Sequence, residues 1–132
     1  MKNIVNIIAI VAVSMLMSCA KVTEQQATET CIKLLTALQQ KDYATMQSLY
    51  SAEFNEVEGV EQRKEKHEAL FTATGAIQSF KQTSARDTVM LDDRAVMLVK
   101  YDVQCANTLT HHDFIVANEE GKPTIISHVI KN

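Results

Sequence analysis

The chain contains no tryptophan, a single proline and only three glycines in 132 residues. Its glycines stand apart, so it lacks the glycine-rich loop that cradles phosphates. With no proline-, serine- or glycine-rich stretch, it also lacks an internal linker. Aromatic residues are few, four Phe and three Tyr, so a core must be built mainly from Leu, Val, Ile and Met. There are three cysteines and no Cys-x-x-Cys pair, which removes the usual thiol redox motif. Positive charge is scarce as well: 13 Lys and Arg stand against 16 Asp and Glu, a formal net charge of −3. No basic run is longer than Arg63-Lys64. That balance excludes the electrostatic footprint of a nucleic-acid binder.

What is present begins with an apolar run. Lys2 precedes Ile4 to Met17, in which Asn6 and Ser14 are the only polar residues. The run is too short to cross a bilayer as a helix, which takes about 20 residues, and has the layout of a secretory signal. It ends in Leu16-Met17-Ser18-Cys19, which resembles a bacterial lipoprotein cleavage site. The expectation is a lipoprotein signal peptide over 1–18, with Cys19 as the lipid-bearing, palmitoylated N-terminus. Residues 19–26 would be the tether and 27–132 one α+β domain. The membrane, reached through that lipid, is then a partner. Ala20, where an Asp would retain the protein at the inner membrane, implies an outer-membrane location facing the periplasm. Removing Lys2 would take the net charge to about −4.

Beyond the tether, Thr23 with Gln26 three residues on predicts a capped helix start. Ala27, Cys31, Leu34, Leu35 and Leu38 then form one apolar stripe. Asp42 caps a second helix from Tyr43 to about Ala52, and Val60 to Thr74 reads as a third. On that third helix His67, Leu70, Phe71 and Thr74 are candidates for the buried side. The charges from Glu61 to Glu68, Arg63 among them, read as a solvated surface. From Ile77 the pattern turns to strands. One runs to about Leu91, and a second follows the turn at Asp92-Asp93. In the second, Met97, Val99, Tyr101, Val103 and Cys105 share one face and Leu98, Lys100, Asp102 and Gln104 the other. A third strand spans Leu109 to Ala117, a turn covers Asn118 to Gly121, and a fourth spans Thr124 to Ile130. Helices followed by a four-stranded antiparallel meander imply an α+β domain whose curved sheet packs on its helices.

In Leu34 to Tyr43, Leu49 to Phe54, Val96 to Val103, Asp113 to Val116 and Ile125-Ile126, the chain resembles the NTF2-like (cystatin-like) α+β superfamily. The likeness is closest to its small bacterial lipoproteins. It rests on element order and spacing over nearly all of the chain after Cys19. Members include ketosteroid-isomerase-like enzymes, ligand-binding domains and protein-binding modules, so the resemblance leaves the activity open.

Once Cys19 is assigned to lipid, Cys31 and Cys105 remain on predicted core faces in a compartment that permits disulfides. One bridge between them is the expectation. His111-His112-Asp113 raises a metal reading. Strand neighbours point to opposite faces, and His111, Asp113 and His128 have no spacing that supports a site, so these histidines read as surface or edge residues. No cofactor is implied. The isomerase logic needs a carboxylate and a hydroxyl facing each other in an apolar cone. Tyr101, joined by His112, faces inward, yet no carboxylate clearly does. The function expected is a non-catalytic binding module with an envelope protein as partner, inhibitor- or immunity-like. The alternatives are a small-molecule carrier or sensor, with a pocket of Leu35, Met97, Tyr101, His112 and Phe114, and an isomerase-like enzyme.

Overall fold

A computed structural model describes residues 21–132; the expected signal peptide over 1–18 and the lipidation site Cys19 lie outside the described residues. Thr23 caps helix α1 (Glu24–Gln39). Its hydroxyl accepts from the Gln26 N–H at 3.1 Å, and the Gln26 side chain accepts from the Thr23 N–H at 3.0 Å. Two donors that the first turn would leave orphaned are thereby satisfied. The helix takes in residues 24–26, which the sequence assigned to the tether, and Val22 ahead of it is already buried. The apolar stripe Ala27, Cys31, Leu34, Leu35 and Leu38 lies wholly inside the core, each buried leucine contributing about 2 kcal/mol.

Asp42 caps α2 (Tyr43–Leu49) through the Thr45 N–H. Sequence periodicity carries this helix on to about Ala52, but it stops at Tyr50, whose backbone is extended (ψ 154°). The cause is tertiary. Tyr50 forms a parallel bridge with Ile125, and the Ser51 N–H donates to the Ile125 carbonyl at 2.9 Å. Ser51 then caps a separate short helix, α3 (Ala52–Val57). Helix α4 (Val60–Thr74) ends at Gly75, at φ 80°, where an added Cβ would stand 2.7 Å from the Ala106 Cβ. Only glycine allows both the backbone conformation and that approach to Ala106.

Four strands follow: β1 (Ile77–Val89), β2 (Ala95–Cys105), β3 (Leu109–Glu119) and β4 (Lys122–Lys131). They pair as an antiparallel meander in sequence order, a curved and unclosed sheet, so the fold is α+β as expected. The inward face of β2 is Met97, Val99, Tyr101, Val103 and Cys105, all buried. On β3, His112, Phe114 and Val116 face the same way. On β4 the alternation breaks. Phe114 pairs with His128 and Val116 pairs with Ile125, so two inward residues on β3 oppose two on β4 that are three apart. The extra residue is a β-bulge. It turns both Ile125 and His128 toward the helices.

Candidate functional site

The space between α4 and the β3–β4 edge of the sheet is polar where a core would normally be apolar. Tyr50, at the end of α2, places its hydroxyl 2.6 Å from His128 Nδ1. His128 Nε2 lies 2.8 Å from His112 Nδ1. A proton on His128 Nε2 donates to His112, leaving His128 Nδ1 to accept from the tyrosine hydroxyl. In the reverse arrangement His112 Nδ1–H donates to His128 Nε2, and His128 Nδ1–H donates to the hydroxyl oxygen. The three groups thus form a short relay with two equivalent polarities. Phe114 stacks on His128 with ring centroids 4.3 Å apart and fixes the ring plane.

Helix α4 supplies the other half of the cluster. Arg63, His67, Leu70 and Thr74 recur at spacings of four, three and four, one stripe of a helix. Arg63 and His67 are fully buried. The Arg63 guanidinium stacks on the Tyr50 ring at 4.2 Å and lies 5.5 Å from that of Phe54. Its Nη2 donates to the Glu58 carbonyl at 3.0 Å, and its Nε faces the Glu58 carboxylate at 3.3 Å. The same carboxylate accepts from Lys66 Nζ at 2.9 and 2.8 Å. The His67 ring lies between those of Tyr43 and His128, with centroids 6.3 and 6.4 Å away. Arg63 Nη1 and Nε, both ring nitrogens of His67 and the Tyr43 hydroxyl are buried with no hydrogen-bond partner among the described residues, Nε keeping only its ion-pair contact to Glu58. Buried polar groups left unpaired in this way are uncommon and call for a cause.

Burial sets the charge states. It drives the His67 imidazole down to about 4, helped by Lys66 and Arg63. It drives His112 to about 3, helped by His67. His128 is held well below its ordinary value by burial, then by the other two histidines, Lys66 and Arg63. All three are neutral at pH 7. The Tyr50 hydroxyl is pushed up by burial, against the lowering effect of Arg63.

Beside the cluster, between α4 and β4, runs an open groove of about 490 Å³ lined by Lys66, Leu70, His128, Val129, Ile130 and Asn132. His128 belongs to both groove and cluster. The pocket expected from sequence lies elsewhere: Leu35, Met97, Tyr101, His112 and Phe114 are all packed within the core. The Tyr101 hydroxyl donates to the Gln82 side-chain oxygen at 3.1 Å, which also accepts from Thr28 at 2.9 Å. The carboxylate–tyrosine pair of the isomerase reading is not assembled there.

Several expectations change. Arg63, read as part of a solvated face, is buried because it shares a stripe with His67. His112 faces inward as its strand phase implies, and His128, read as a surface or edge residue, is linked to it inside the fold through the bulge. His111 does lie on the outer face, 2.7 Å from the Asp102 carboxylate. Cys31 and Cys105 are both buried and free, not bridged. Gln39, at the end of α1, donates to the Ile77 carbonyl opposite Cys105, and Cys31 lies eight residues earlier, about 12 Å back along the helix. It sits near Tyr50 and Tyr101.

Among the described residues, no group of three or more His, Cys, Asp or Glu could hold a metal ion, and no helix is long and apolar enough to cross a membrane. No protein-family model, curated protein or solved structure matches this chain.

Proposed function

We propose that this domain binds a small molecule in the groove between α4 and β4, and does so in the bacterial envelope, held by lipid on Cys19. The observation that carries the reading is the set of buried, unpartnered donors and acceptors on Arg63 and His67, next to a groove that shares His128 with them. Leaving such groups unpaired costs about 1–3 kcal/mol each. A bound molecule that pairs them recovers that cost. The groove volume falls in the usual range for ligand sites, about 300–1,000 Å³. Its apolar wall of Leu70, Val129 and Ile130 next to a few polar groups has the composition such sites share.

Native mass spectrometry of the full chain, released gently from its host envelope, tests this. The expected result is a bound species below about 1 kDa, the drug-sized range of such pockets. It should be lost on Val129→Trp, which fills the groove from an exposed position. A mass unchanged by that substitution would overturn the assignment of the site.

A second reading, a module that binds an envelope protein, has support of its own. At the β1–β2 tip Leu91 is fully exposed and Val89 is 63% exposed. If this tip is the binding surface, Leu91→Ser abolishes partner crosslinking and Val129→Trp leaves it intact.

A further inference from the structure

We propose that the ligand is a monocarboxylic acid with an apolar body, its carboxylate taken by Arg63 and His67 and its body laid along Leu70, Val129 and Ile130. This rests on the ligand-binding reading above and adds the chemical class.

Charge is the first argument. Glu58 is one carboxylate serving two cations, Arg63 at 3.3 Å and Lys66 at 2.8 Å, so this corner carries a formal surplus of one positive charge. The three histidines add none, being held neutral by burial. The remaining charged groups that act on the cluster do so from a distance: Asp113 and His111 on His112, and Glu68 on Tyr43. A cationic ligand would add to that surplus. A dianion would overshoot it and repel Glu58. A monoanion matches it.

Donor geometry is the second argument. Nη2 of Arg63 donates to the Glu58 carbonyl and Nε lies 3.3 Å from the Glu58 carboxylate without a hydrogen bond to it, so Nη1 is the guanidinium nitrogen with neither contact to Glu58. A neutral imidazole has one N–H and one lone pair, so His67 offers one further donor. N–H groups from two residues one helical turn apart suit the two oxygens of one carboxylate.

The third argument is how α4 is held. Its fully buried residues are Arg63, His67 and Thr74, and its apolar contacts with the core come from the partly buried Val60 and Phe71. It runs from a glycine cap at Gly59 to a glycine at positive φ, Gly75. Such an element can move locally, between its two glycine ends, to admit a head group past His128.

The test uses the full chain in lipid nanodiscs, labelled on histidine and arginine side chains, titrated with octanoate, octanamide and octylamine and read by NMR. Octanoate should shift His67, His128 and Arg63 resonances in a saturable way. The amide and the amine should bind about tenfold more weakly or worse, the size of one hydrogen bond to a charged group. Arg63→Met should remove the preference for the acid. Should that variant fail to fold, His67→Phe, which keeps the stacked ring and deletes the donor, should weaken octanoate several-fold and leave octanamide unchanged. Equal binding of acid and amide, or tighter binding of the amine, overturns the carboxylate class while the groove stands. Failure of all three probes to shift groove residues overturns both the class and the ligand-binding reading.

Discussion

His128 on β4 and His112 on β3 are joined nitrogen to nitrogen at 2.8 Å inside the fold. Neither belongs to a metal centre, so the contact is a hydrogen bond that needs one shared proton. A second proton makes one ring cationic and buries a charge beside the other histidines, and protonating both rings puts two hydrogens between the facing nitrogens and breaks the bond.

Stability should therefore depend steeply on pH. The folded-state values of His67 and His112, about 4 and 3, lie below the ordinary 6.5, and His128 lies well below it. Between 6.5 and those values the unfolded chain binds more protons than the native one. The stabilisation is thus complete above pH 6.5 and is lost as pH falls. Each such histidine steepens the dependence by up to about 1.4 kcal/mol per pH unit. Urea midpoints should be flat from pH 8 to 7 and drop from 6.5 to 5, a window still above most carboxylate titration. The slope should shrink in His112→Gln. Midpoints that stay level between pH 7 and 5 would count against the buried neutral cluster.

The contrast between what the sequence revealed and what it hid has a single physical source. Regular periodicity was legible: the α1 stripe, the β2 alternation and the turns at Asp92 and Gly121 all stand where they were expected. The cluster depends on features that break periodicity. Tyr50 leaves the helix because Ile125 pairs with it, and His128 turns inward because β4 carries a residue too many opposite Ile115 and Val116. Arg63 had a local signal, its place on the His67–Leu70–Thr74 stripe, but its charge argued for solvent. Glu58 together with the aromatic faces of Tyr50 and Phe54 makes its burial tolerable.

Tyr50→Phe should isolate the relay. It removes only the hydroxyl that meets His128 Nδ1 at 2.6 Å, leaving that nitrogen unpaired. A loss of about 1–2 kcal/mol is expected. The more specific readout is the side-chain 15N spectrum, where His128 should lose exchange between its two tautomers and settle on one. An unchanged tautomer population would show that the hydroxyl does not take part.

At Arg63 the prediction concerns the difference between two lysine-like charges. Arg63→Ala removes a buried stem, two aromatic contacts and a buried ion pair, and should cost about 3 kcal/mol or more. Lys66→Ala removes a half-exposed partner of the same Glu58 and should cost under about 1 kcal/mol. Arg63→Met, which keeps the packing and deletes the charge, should fall between them. Chemical denaturation of the three variants checks the order; an Arg63→Ala loss no larger than that of Lys66→Ala would mean the guanidinium is not anchoring α4.

The two core cysteines give a readout that needs no ligand. Both are buried free thiols, and burial drives Cys31 up to about 12, so almost none of it is the reactive thiolate at pH 8. Alkylation of the native chain should be slow at both positions and limited by opening of the fold. In denaturant, with no reductant added, both should react quickly and completely. A chain that resists alkylation when unfolded, and yields two alkylated sites only after reduction, would show that Cys31 and Cys105 are bridged. Since α1 holds Cys31 about 12 Å along its axis from Gln39, whose side chain bonds Ile77 opposite Cys105, that bridge would require the helix to slide. Protein recovered in that state should show altered Gln39 and Ile77 amide shifts, the contact that fixes the α1 register at 3.0 Å.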